Sequence, residues 1–120
     1  MPATPDALLL ASDGGLQVID LPASSDDHLI VMRAVLRCQR VDLVALTSHL
    51  DMWVDDEFLY NYPDEINPFA TLLARRYGFT HQPYHGPVLL TGGADQDGET
   101  LPLTLDRARA LLAALHDTAS

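Results

Sequence analysis

Val41-Asp42-Leu43-Val44-Ala45-Leu46-Thr47, followed after two residues by Leu50-Asp51-Met52-Trp53-Val54 and then Asp55-Asp56-Glu57, is the stretch on which the fold turns. The first run is apolar and β-branched, and its length suits a strand rather than a helix. The second run also reads as a strand, ended by three acids in a row. Two strands in immediate succession with no helix between them imply antiparallel pairing, and they argue against a repeating strand-helix-strand fold.

Reading downstream, residues 55–66 show no clear period, and Tyr60, Tyr62 and Pro63 predict an ordered loop. Asn67-Pro68 predicts a helix start. Asparagine accepts from the first free amides, and proline at the first helical position loses no hydrogen bond. Leu72, Leu73 and Ala74 continue that helix, and Gly78 ends it after Arg75-Arg76-Tyr77. After a loop over 79–85, Pro87 to Thr91 reads as an apolar strand. Gly92 to Gly98 reads as a turn, and Glu99 to Leu103 as a further short strand with the weakest pattern. Thr104 is placed to cap a last helix, in which Leu105, Ala108, Leu111, Leu112 and Leu115 form the buried stripe.

Upstream, Ala7-Leu8-Leu9-Leu10-Ala11 is an apolar run of strand length. Ser12-Asp13-Gly14-Gly15 follows, and Asp-Gly and Gly-Gly steps tolerate the positive φ of hairpin turns. Leu16 to Leu21 then alternates as a second strand, stopped by Pro22. Ser24, Ser25 or Asp26 caps the next helix, expected over residues 25–38, where Leu29, Met32, Val35 and Leu36 repeat at helical spacing. The predicted order is ββαββαββα. It implies an α+β fold: a single small domain over residues 1–120, with an antiparallel or mixed sheet and about three helices.

The chain has 120 residues, of which 48% are apolar, enough for one core and too few for two stable ones. The 17 acids outnumber seven bases, all arginine, giving a net charge of −10. That balance argues against direct nucleic-acid contact and against anionic membranes. No apolar run approaches the roughly 18 residues of a membrane span. The start, Met1-Pro2-Ala3-Thr4-Pro5-Asp6, has no basic region of the secretory type, so a cytoplasmic location is expected. The single cysteine, Cys38, excludes an internal disulfide and is expected to pack as a small hydrophobe.

No catalytic constellation stands out. Asp51, Asp55, Asp56, Glu57, Asp64 and Glu65 put six acids into fifteen positions. Paired catalytic carboxylates need unlike environments, which neighbouring turn positions rarely supply, so a solvated acidic turn is expected. Asp95-Gln96-Asp97-Gly98-Glu99 resembles part of a calcium loop, but Gly93 and Thr104 stand where ligands belong, and a hairpin turn is expected. His81 and His85 are four apart, yet Pro83 between them prevents a shared helix face. His28, His49 and His116 are scattered and expected at the surface. Trp53 shares a strand face with Asp51 and Asp55. It reads either as an interface anchor or as a residue lying under the 55–66 loop.

Met52-Trp53-Val54-Asp55-Asp56-Glu57, Asn67-Pro68-x-Ala70-Thr71, Tyr84-His85-Gly86 and Thr91-Gly92-Gly93-Ala94-Asp95-x-x-Gly98-Glu99-Thr100-Leu101 together resemble domain-of-unknown-function family 3846. The resemblance is clearest over residues 40–118. Phe58 stands where relatives often carry glycine. The family is common in actinobacteria and in phages and plasmids. The resemblance implies a small soluble domain, often on mobile elements, with no catalytic residues.

These readings lead to an expected function that is not enzymatic and uses no cofactor or metal. The first expectation is a protein-interaction module whose acidic surface (Asp51, Trp53, Asp55, Asp56, Glu57, Tyr62, Asp64, Glu65) meets a partner with a basic face, with Trp53 or Tyr62 as anchor. Its most specific form is an inhibitor or DNA mimic linked to a mobile element. The alternative is a small-molecule or nucleotide-binding domain that sequesters its ligand in a pocket near Asn67, Tyr84, His85 and Gly92; a homo-oligomer is compatible with it.

Overall fold

Val88-Leu89-Leu90-Thr91 is buried at all four positions because, in the computed structural model, it is the middle strand of the sheet. The structure describes residues 7–22, 27–80, 82–103, 106–107, 109–111 and 113. The strands are β1 (Ala7–Leu10), β2 (Leu16–Ile19), β3 (Val41–Thr47), β4 (Leu50–Asp55) and β5 (Val88–Thr91). Their spatial order is β2-β1-β5-β4-β3, and every adjacent pair is antiparallel. The helices are α1 (His28–Leu36), α2 (Phe58–Asn61) and α3 (Pro68–Arg76). The described positions from 106 to 113 are helical as well.

The sheet is covered on both faces. Period-two alternation sorts the strand residues between them. Leu8, Leu10, Val44, Leu46, Met52, Val54, Val88 and Leu90 face α3, whose Ala70, Leu73 and Ala74 complete the larger core, with Phe58, Tyr84 and Leu103 closing it. Ala7, Ile19 and Leu89 face the other way, onto Met32 and Leu36 of α1, with Leu9, Cys38, Val41 and Trp53 packed around them. Each fully buried leucine contributes roughly 1.5–3 kcal/mol.

Connectivity fixes the direction of α1. β2 and β3 run parallel to each other at opposite edges of the sheet, and α1 carries the chain between them. It starts at the end of the sheet where Ala7, Asp51 and Thr91 lie, here the upper end. It finishes at the lower end, where Leu10, Asp55 and Val88 lie. Arg37 stops the helix in a left-handed conformation (φ 55°), its amide donating to the Arg33 carbonyl. The expected caps Ser24, Ser25 and Asp26 lie outside the described residues, as do His81, Thr104, Leu105, Ala108, Leu112, Leu115 and His116.

The α+β class and the two hairpins β1–β2 and β3–β4 agree with the sequence reading. The structure differs at three points. Residues 55–66 are not all loop: α2 forms one turn there, because the Asp55 carboxylate accepts from the Glu57 amide (2.8 Å) and from Asn61 Nδ2 (2.7 Å), closing the turn from both ends. The expected sixth strand shrinks to an isolated bridge, Ala94 with Thr100. Asp95 Oδ1 takes the Asp97 and Glu99 amides (2.9 and 3.0 Å), so side-chain bonds in the turn replace a ladder. His28 is buried rather than exposed, its Nε2–H donating to the Pro22 carbonyl at 2.7 Å.

Candidate functional site

Two regions gather the residues singled out from the sequence. The first is a knot at the lower end, centred on Asn67, which is completely buried. Its Oδ1 accepts from the Ala70 amide (3.1 Å), the expected helix cap. Its Nδ2 donates to the Leu10 carbonyl at the end of β1 (3.1 Å) and to the Gly86 carbonyl (2.9 Å). Its own amide donates to the Tyr84 carbonyl (2.8 Å). Thr71 adds a link: its hydroxyl donates to the Asn67 carbonyl (2.8 Å) and accepts from the Tyr84 amide (2.9 Å). Asn67 therefore holds β1, α3 and the lead-in to β5 together.

His85 lies against this knot. Its Nδ1 faces the Tyr62 carbonyl at 2.8 Å. A carbonyl only accepts, so Nδ1 carries the proton. Gly86 needs its φ of 76°, and a Cβ there would fall 2.6 Å from the Tyr62 ring. Tyr62 in turn donates its hydroxyl to the Leu36 carbonyl at the end of α1 (3.1 Å). Burial first, then the Asp55 and Glu65 charges, raises the Tyr62 phenol above its ordinary pKa. Burial, with Asp42 nearby, does the same to Tyr84.

The four residues expected to line a ligand pocket are thus only partly brought together. Asn67, Tyr84 and His85 meet at the lower end, where the Asn67 amide and His85 Nδ1 are taken up by backbone groups of the fold. Gly92 sits beyond the upper end of β5, where its amide donates to the Leu101 carbonyl (2.9 Å) and a Cβ would clash with the Pro102 carbonyl.

The second region is the acidic segment, which the structure divides. Asp51 and Asp55 face inward, with 6% and 3% of their surface exposed. Asp55 organises α2. Asp51 is paired in register with Thr91 through the backbone, and its carboxyl group makes no hydrogen bond with another described residue. Burial holds its carboxyl above the usual aspartate value. Trp53 is half-buried on the α1 face rather than under the 55–66 segment, its Nε1–H donating to Thr91 Oγ1 at 2.9 Å. Tyr62 is half-buried too. Asp56, Glu57, Asp64 and Glu65 are exposed.

Sequence reading missed the apolar side chains among those four acids. Leu59 and Ile66 are more than half exposed, and Tyr60 is 81% exposed. Their signal was the absence of any period over 55–66, which leaves some large residues with no core to face. Beside Tyr60 lies a cleft of about 630 Å³, lined by Arg33, Arg37, Cys38, Gln39, Glu57 and Asn61. Burial and then the Asp55 charge push the Cys38 thiol pKa up, which keeps it protonated and weakly nucleophilic. Arg40 approaches Asp56 at 3.9 Å, with both side chains largely exposed. Among the described residues, no three His, Cys, Asp or Glu side chains converge as a metal would require, and no helix is long and apolar enough to cross a membrane.

Comparison with known proteins returns no match among curated proteins and none among solved structures. The residues that built the lower knot and the acidic segment are those on which the sequence resemblance rests. A family model agrees with it: Domain of unknown function (DUF3846) matches residues 5–116, nearly the whole chain, and the protein belongs to that family.

Proposed function

We propose that the protein is a docking module that binds a basic protein partner through α2 and its flanks, without catalysing a reaction. The observation that carries this reading is the exposed apolar group of Leu59, Tyr60 and Ile66 within a segment whose Asp56, Glu57, Asp64 and Glu65 are exposed. Apolar anchors inside a charged rim are the usual anatomy of a transient interface, and tyrosine is a favoured anchor. The chain's net charge of −10 favours a basic face on the partner and speeds encounter with it. Asp55 supports the site by closing the α2 turn, Asp51 lies at the other end of β4 and drops out of it, and the anchoring role passes from Trp53 and Tyr62 to Tyr60. A cytoplasmic setting, with Cys38 reduced, suits this role.

The experiment is affinity capture from the native host with three baits: the wild type, Tyr60→Ala, and a variant carrying amides at Asp56, Glu57, Asp64 and Glu65. A partner retained by the wild type at physiological salt and lost by both variants is the expected result. Equal recovery on all three baits sinks the reading. In its most specific form the protein is an inhibitor carried by a mobile element, its acids standing in for DNA phosphates. Duplex DNA then competes with it for the partner, and a partner indifferent to DNA excludes mimicry.

A second reading, small-ligand sequestration, moves from Asn67 and Tyr84 to the cleft of Arg33 and Arg37. Neither arginine has an acid within ion-pair distance among the described residues, while Gln39, Asn61 and the Tyr60 ring border the same space. An anionic aromatic metabolite such as a nucleotide fits that chemistry. Native mass spectrometry of the purified protein with added nucleotides tests it; spectra showing only the free protein count against it.

A further inference from the structure

β3 is the longest strand of the sheet, seven residues, and it forms an edge. The opposite edge, β2, has four. The Asp56 amide donates to the Arg40 carbonyl (2.9 Å), which fixes the phase of the β3–β4 ladder. Asp42 and Val44 turn their backbone groups toward β4, while Val41, Leu43 and Ala45 turn theirs outward. One outward amide reveals itself: Leu43 N–H donates to the Asp42 carboxylate at 3.0 Å, a side chain standing in for the missing strand. Asp42, Leu43 and Ala45 are all exposed.

Alongside this edge runs a cleft of about 340 Å³ on the α3 face, walled by Asp42, Val44, Phe58, Phe79, Gln82 and Tyr84. Among the described residues of its lining, Asp42 alone is charged. A strand laid about 4.8 Å beyond β3 would send alternate side chains over this cleft. We propose that β3 is a strand-addition site for an extended, basic segment of a partner protein. Its backbone pairs with Val41, Leu43 and Ala45. One apolar side chain enters among Phe58, Phe79 and Tyr84, and a lysine or arginine two positions away takes Asp42, which leaves the Leu43 amide to the incoming carbonyl. Backbone pairing supplies affinity and the alternate positions supply selectivity. The proposal concerns a different surface from Tyr60 and its acids, so each can fail alone.

The test is fluorescence anisotropy of the whole protein with a dye-labelled, end-blocked peptide of about seven residues, leucine and lysine alternating with threonine. Saturable binding is expected. N-methylation of the peptide amides that meet β3 weakens it about tenfold or more. Leu43→Pro weakens it about fivefold, because proline removes an outward donor and leaves the ladder to β4 intact. Asp42→Asn abolishes the preference for the lysine peptide over its glutamate counterpart. Circular dichroism of each variant confirms the fold, and the N-methylated peptide needs no variant at all. No saturable binding, or equal binding of the N-methylated peptide, overturns the proposal. So does sedimentation showing a dimer that Leu43→Pro dissociates, since β3 would then be covered by a second copy.

Discussion

Asn67 is one amide side chain that replaces three separate fastenings. Asn67→Ala removes a helix cap, worth about 1 kcal/mol, strands the buried Gly86 carbonyl at about 1–3 kcal/mol, and takes from the Leu10 carbonyl the second bond it makes beside the β1–β5 ladder, worth about 1 kcal/mol. A loss of about 3 kcal/mol or more is expected in urea denaturation. Asn67→Asp separates the contributions: it keeps the acceptor for Ala70 but loses both donors, so it should recover only the capping share. Asp51 makes the opposite case, a polar side chain the fold tolerates at a penalty. Its folded-state pKa lies above the ordinary 3.8, so the native state holds the proton more tightly than the unfolded chain does. Stability is therefore greatest below 3.8 and falls as pH rises through the folded value. Asp51→Asn should raise Tm at pH 7, and that gain should vanish on acidification toward 3.8. A gain independent of pH would mean that packing, not charge, separates the two side chains.

At the scale of elements, local chemistry was legible and packing was not. β3, β4 and α3 could be read to within a residue because their signals are contained in a few neighbours: β-branched alternation, and Asn-Pro at a helix start. α2 escaped because the carboxylate that closes its turn, Asp55, looks from sequence like one more surface acid. Asp51 and Asp55 were placed outside by their charge and inside by their place in the sheet, and for Asp51 that place depends on a partner strand some 40 positions away in the chain. The acidic segment was recognised as one site, but its apolar members were not, since exposure of Tyr60 depends on the direction in which α2 leaves the sheet. Arg37 is an element-scale prediction of its own. It caps α1 in the left-handed region, where a Cβ is unfavourable. Arg37→Gly should add about 0.5–1 kcal/mol to stability, measured by denaturation. A loss would show that the side chain's packing beside Val35 and Tyr62 outweighs the relief of strain.

For the molecule as a whole, the decisive fact is that β5 sits between β1 and β4. The two N-terminal hairpins touch each other through β5, and each core cluster contains residues from it. A chain ending before Pro87 should thus fail to fold: it should show a featureless near-ultraviolet spectrum and rapid digestion by protease, while the full chain resists. A folded, protease-resistant fragment would mean that β1 and β4 can pair directly. The same arrangement governs how the protein is made. While the ribosome is still translating, two hairpins emerge with their inner rims bare, each a template for the wrong neighbour. β5, the piece that belongs between them, follows both hairpins in the chain, so nascent copies must be kept apart until it has emerged.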